Sequence, residues 1–348
     1  MSKKKTKKPN WKKRILTLSF IALNIIVIAW TAFYEFTDTE NAAKLNSVEI
    51  RWYLLIPACL LFIIAMSADV YKYFLMLRET CKISDWKIAF YTVFLGRYYD
   101  NITPAAIGGQ PFQIHYMITS NVPKGYSAMI PLLGMISGQI AFMIVAILAF
   151  LFGAPLIHNG AILASGCLGL LFYAFFPVVV LGATFFPSLT NEIILGLAKI
   201  LAHLRIIKDP HSFTNKIQSS TKQYTDCVKV IIKKRHLSLK VMTLSFLYVF
   251  CTYSIPFFVL LTFGGEINFI ACFITTLAIA STIYFIPTPG NTGAAEGSFF
   301  VVFSSLTSGF IFWAMLFWRF FTFYSYILIG LVLHATMYVD KRKKPLDA

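Results

Sequence analysis

Six stretches of this chain, at approximately 15–34, 53–77, 126–152, 161–186, 239–263 and 311–338, are apolar over twenty or more residues. A helix of about 20 residues crosses the ~30 Å hydrocarbon core of a bilayer, so each run is long enough to span. Composition agrees. Of 348 residues, 57% are hydrophobic and 13% charged, where a soluble domain carries roughly 25% charge. A soluble globular fold is excluded. With no water to satisfy backbone groups in lipid, these runs predict an all-α, polytopic integral membrane protein. About six to eight transmembrane helices are expected, plus one or two Pro/Gly-broken re-entrant segments.

The net charge of +16 is distributed by topology. Eight of the 31 Lys/Arg residues lie in 1–14, ten in 187–240 and four in 341–344. By the positive-inside bias these segments, and the turn holding Arg78, Lys82 and Lys87, are cytoplasmic. The acidic 35–51 loop is expected outside. The chain thus divides into a basic tail (1–14), a membrane domain (15–340) and a second basic tail (341–348). Residues 187–238 form an insert with helical periodicity, read as two amphipathic helices broken at Asp209-Pro210. They either lie on anionic inner-leaflet headgroups or form a solvated hairpin packed on the membrane domain. No nucleic-acid partner is expected, because the charge flanks apolar runs and forms no folded face. The six cysteines contain no CxxC pair and read as small buried hydrophobes. No metal site, cofactor motif or catalytic constellation is recognisable.

Two apolar stretches are interrupted. Ile88–Ile118 contains Pro104 and Pro111 around Gly108 and Gly109, and Ile267–Leu306 contains Pro287, Pro289, Gly290 and Gly293. Proline removes a backbone donor and pushes its predecessor out of the helical region, so both helices must break. Broken backbone at membrane depth is tolerated only where protein or water satisfies it, so the two breaks are expected to meet and line a cavity. The first reads as re-entrant from the cytoplasmic side. The second is either re-entrant from outside or two full crossings, since 267–286 is long enough to span.

Charged residues within apolar runs are Asp69, Lys72, Arg97, Asp100, Glu296 and Arg319. Each costs roughly 2.5–3.5 kcal/mol at a bilayer centre, so each needs a partner or a wet cavity. Arg97 and Asp100 flank the first break, Glu296 opens the helix after the second, and Arg319 lies in the last span. These four are expected to bind or gate a lipid headgroup, with a structural ion pair as the competing reading. Asp69 and Lys72 are placed near the cytoplasmic end of their span, where Lys72 can snorkel. His115 and His334 are weaker candidates, as proton carriers. Glycines four apart at Gly134/Gly138 and Gly293/Gly297 read as helix-packing positions.

The residues at these breaks resemble the lysylphosphatidylglycerol synthase membrane-domain family, also called flippase-like. The resemblance rests on Asn101 to Gln113 (NITPAAIGGQPFQ), Pro287 to Phe299 (PTPGNTGAAEGSF) and Trp318-Arg319 followed by Tyr324 and Gly330, in that order. It spans roughly 15–338. Many relatives carry an acid after the paired glycines; this chain has Gln110, so that acid's role does not transfer. The resemblance implies a multi-pass bacterial inner-membrane protein with both termini cytoplasmic. It further implies that the chain binds and translocates a phospholipid, aminoacylated phosphatidylglycerol being the family's substrate. Arg97, Asp100, Asn101, Thr103, Pro104, Gly108, Gly109, Gln110, Pro289, Gly290, Glu296 and Arg319 are the substrate-binding or gating candidates. The alternative is a lysyl-tRNA-dependent phosphatidylglycerol lysyltransferase role, tied to cationic-peptide resistance, exercised with a partner. The soluble transferase domain of two-part relatives is expected to be absent, leaving a homo-oligomer or a separate transferase as the associations to consider.

Overall fold

A computed structural model describes residues 50–153, 155, 160–203, 214, 215, 218, 229, 233–284, 286–304 and 310–343. Among them there is no strand. The helices are α1 (Leu55–Cys81), α2 (Trp86–Ile102), α3 (Gly109–Thr119), α4 (Lys124–Gly153), α5 (Gly160–Phe185) and α6 (Pro187–His203). They continue as α7 (Arg235–Thr262), α8 (Phe269–Ile283), α9 (Ala294–Phe303), α10 (Ile311–Arg319) and α11 (Ser325–Lys343). The all-α polytopic architecture holds. Five helical stretches are long and apolar enough to cross a membrane: Trp52–Cys81, Lys124–Gly153, Gly160–Val179, Arg235–Thr262 and Ile311–Met337. The 15–34 run, the 35–49 part of the acidic loop, the Asp209-Pro210 break and the 344–348 end of the basic tail lie outside the described residues. The first helix expected in the basic insert is present as α6.

The first broken stretch folds back on itself. Asp85 caps α2 by accepting a bond from the Lys87 N–H at 2.8 Å, and α2 runs to Ile102 before a 3-10 turn at Pro104–Ala106. Helix α3 then returns antiparallel: Tyr99 stacks on Phe112 and Tyr91 on Tyr116, and Gln113 Nε2 donates to the Thr92 carbonyl at 3.1 Å. Later residues of α3 meet earlier residues of α2, as a re-entrant hairpin requires. The first broken stretch is thus a helical hairpin, the shape a re-entrant segment takes.

The second break separates two short helices. Asn268 caps α8, its side chain accepting from the N–H groups of Ile270 and Ala271, and the helix ends fifteen residues on, at Ile283. Helix α9 has ten residues. At 1.5 Å per residue these are about 22 and 15 Å long, so neither half crosses ~30 Å of hydrocarbon alone. Residues 267–286 have one span's length, but α8 ends at Ile283, shortly before the prolines at 287 and 289 that cannot continue it.

The spans pack around three apolar clusters. One joins α1, α2, α4 and the start of α7, including Met76, Leu77, Leu95, Ile130 and Val241. Another joins the end of α7 to α8, α9 and α10 through Phe263, Ile283, Phe299 and Trp318. The third binds α4, α5 and α8 through Phe142, Leu170 and Leu277.

Candidate functional site

The two breaks, about 180 residues apart in sequence, pack against each other: the turn at Pro104–Ala106 meets the turn at Pro289–Asn291, which also touches α2. Side chains satisfy the freed backbone. Asp100 Oδ1 accepts from the Gly109 N–H at 2.9 Å, and Thr103 Oγ1 accepts from the Gly108 N–H at 2.8 Å while donating to the Tyr99 carbonyl at 2.7 Å. At the second break Thr288 and Thr292 bond to its own carbonyls. Gln110 Nε2 lies 2.7 Å from Met135 Sδ on α4.

Glu296 and Arg319 form a buried ion pair, Nε to Oε1 at 2.6 Å, with the residues 1% and 4% exposed. Both carboxylate oxygens are used, because Oε2 accepts from the Gly293 N–H at 2.7 Å. Arg319 Nη1 donates to the Gly290 carbonyl at 3.2 Å. One pair therefore ties α9, α10 and the break together. Arg319 also lies over the rings of Trp318 and Phe323 at 5.4 and 5.3 Å, and its buried Nη2 makes no hydrogen bond. Immediately after it, Phe320–Tyr324 forms a π-helical turn. Such turns widen a helix locally and concentrate at functional sites.

Gly290 has φ +59°, a left-handed conformation glycine adopts without penalty. A Cβ there would collide with the Phe323 ring and come within 3.3 Å of the Asn101 carbonyl of the first break. Gly290→Ala is therefore expected to lower stability by about 1–3 kcal/mol through strain alone and to push the breaks apart. Thermal unfolding in detergent reads the loss.

Arg97 does not join the Glu296–Arg319 pair. Its Nη2 bonds Asp69 Oδ2 at 3.0 Å, and Lys72 Nζ approaches Asp69 Oδ1 at 2.7 Å. Asp69 thus holds two cations. This corrects the snorkelling assignment: Asp69 and Lys72 are each 3% exposed, and Lys72 donates inward to the Gly134 carbonyl at 3.4 Å. The helix extends to Cys81, which puts Asp69 about 18 Å from that end. Gly134 allows the approach, since a Cβ there would meet the Tyr73 hydroxyl at 2.5 Å. Among the described residues the buried ion pairs form two clusters, one per broken stretch, with Asp100, Asn101, Thr103 and Pro104 beside the first and Pro289 and Gly290 at the second.

Beside the first cluster, a groove of about 700 Å³ runs between α1, α2 and α7, lined by residues including Phe62, Ser67, Trp86, Phe90, Phe94 and Leu247. Its wall is almost wholly apolar. Trp86, Phe90 and Leu247 are exposed on the flank of these helices, so the groove opens sideways. Phe94 lies one turn before Arg97. Trp86, one of the lining residues, stacks on Phe74 at 4.0 Å. No single run in the sequence marks this groove, because it is made by three helices.

An all-α, multi-pass membrane protein with two interlocked helix breaks and buried charges is the class defined by this arrangement. The chain matches the family described as lysylphosphatidylglycerol synthase TM region over residues 15–330, and it belongs to that family. No curated protein and no solved structure matches it.

Proposed function

We propose that this protein binds a phospholipid and carries its headgroup across the bacterial inner membrane, with both termini cytoplasmic and aminoacylated phosphatidylglycerol as the family-derived candidate substrate. The observation that carries the proposal is the apolar groove that opens sideways one helical turn from Arg97. A lipid translocase must let acyl chains stay in hydrocarbon while the headgroup crosses ~30 Å of it inside protein. A sideways groove beside buried charges provides both environments, whereas a catalytic site would gain from closure and from acid/base groups paired near one leaflet. The synthase in the family's description is the one finding on the side of a lipid-modifying role with a partner. Arg97, Asp100, Glu296 and Arg319 are the charges proposed to replace the water a headgroup loses.

The test is transfer of a headgroup-labelled lipid between leaflets of proteoliposomes. Ser67 is exposed at the groove, so Ser67→Trp fills it without disturbing the core. Wild-type protein is expected to move the lipid, and Ser67→Trp to slow transfer at least about tenfold. Equal rates in the two, with both inserted and monodisperse, count against the groove as the tail path.

A further inference from the structure

Six charged residues lie within the apolar runs, and five of them are in ion pairs: Asp69 with Lys72 and Arg97, and Glu296 with Arg319. Among the described residues, Asp100 is in none. An acid at membrane depth without a counter-ion is costly, and such acids mark paths for protons and ions. Asp100 sits in the last turn of α2, and its Oδ1 accepts from the N–H of Gly109, the first residue of α3, at 2.9 Å. That is its side chain's one hydrogen bond among the described residues. Gly109 is buried, and a Cβ there would run into the Asp100 carboxyl group, so the two fit closely.

Two side chains therefore close the turn between α2 and α3. Thr103 Oγ1 takes the Gly108 N–H and carries no charge, whereas Asp100 can exist with or without one. The ionised carboxylate is the stronger acceptor and the form that the positive end of α3 favours. Burial without a counter-ion makes that charge costly, and a proton removes the cost. The neutral acid then keeps at most an ordinary hydrogen bond to Gly109. Asp100 is half-buried, which leaves its carboxyl within reach of a proton. The groups facing it are Arg97 one turn back on α2, Tyr73 on α1 and Tyr284 just beyond α8. His334 on α11 packs on the rings of Tyr98 and Tyr99, immediately before it. Arg97 is held by Asp69, and phenols are neutral near physiological pH. Movement here reaches the second break, because the Asn101 carbonyl lies against Gly290.

We infer that Asp100 is a proton-operated latch: ionised, it holds the α2–α3 hairpin shut at Gly109, and protonated, it lets the turn at 103–109 open. Low pH loosens the turn. The latch goes beyond the translocation reading and does not depend on what the protein carries.

Hydrogen–deuterium exchange of the full chain in nanodiscs, read by mass spectrometry between about pH 5 and 8 with labelling times scaled to the intrinsic amide rate, tests it. Protection of the amides at 107–110 is expected to fall about tenfold from the upper to the lower pH, the step from a charged to a neutral acceptor, while a peptide covering 88–96 of α2 stays constant. Asp100→Asn, the neutral isostere, is expected to show the low-pH protection throughout, and His334→Gln to keep the wild-type profile. Asp100→Glu keeps the acid on a longer arm and is expected to shift the midpoint of the profile. A flat wild-type profile overturns the latch, as does a wild-type profile in folded Asp100→Asn or the loss of the profile in folded His334→Gln. An unshifted midpoint in Asp100→Glu overturns it even where the asparagine variant fails to insert. The readout is structural, so the latch and the translocation reading fail separately.

Discussion

Glu296→Gln and Arg319→Gln are each expected to destabilise the protein by about 3–5 kcal/mol, because each strands the other member of a buried pair as an uncompensated charge. The geometry makes the loss larger than that of a surface pair. Glu296 holds Arg319 with one oxygen and the backbone N–H of Gly293, the N-cap of α9, with the other, so losing its charge loosens the cap and the pair together. The double variant Glu296→Gln/Arg319→Gln removes both charges, and uncharged partners of similar volume often hold a buried site as well as an ion pair does. It is expected to regain most of the melting temperature. Translocation is expected not to return, since a headgroup crossing between the two breaks then lacks the pair of opposite charges with which to exchange. Melting by intrinsic fluorescence and transfer in proteoliposomes separate these outcomes. A double variant that melts like wild type and transfers lipid at the wild-type rate makes the pair a clamp between α9 and α10 and nothing more.

The positions of Glu296 and Arg319 were legible because a charge in an apolar run has few explanations, and both breaks were legible because proline cannot continue a helix. The return of the chain at the first break followed from the same residues. Other features needed the fold. Lys72 was read as snorkelling because the apolar run was ended near residue 77, whereas the helix continues to Cys81 and buries it. Arg97 was grouped with Asp100 by their three-residue spacing, but its partner, Asp69, lies 28 residues away on a different helix, a relation no local pattern encodes. The π-helical turn after Arg319 has no sequence signature among its aromatic residues.

Asp69→Asn is expected to be among the most damaging single changes in this chain. It leaves Lys72 and Arg97 without the carboxylate that both contact, and these two cations then repel each other in the middle of the membrane domain. Breaking one buried pair costs about 3–5 kcal/mol; here one substitution breaks two. Poor insertion or aggregation on size-exclusion chromatography is the expected readout. Lys72→Met is the control that isolates the cause. It removes the surplus cation, fills the same space with an apolar chain, and leaves Arg97 and Asp69 as a neutral pair, so its cost is limited to the long bond to the Gly134 carbonyl, about 1 kcal/mol. The combination Asp69→Asn/Lys72→Met should then recover much of the loss, because Arg97 is then the one cation left in the cluster and Asp100 lies three residues from it on the same helix. If Asp69→Asn alone is tolerated as well as Lys72→Met, the two cations are already compensated by something other than Asp69.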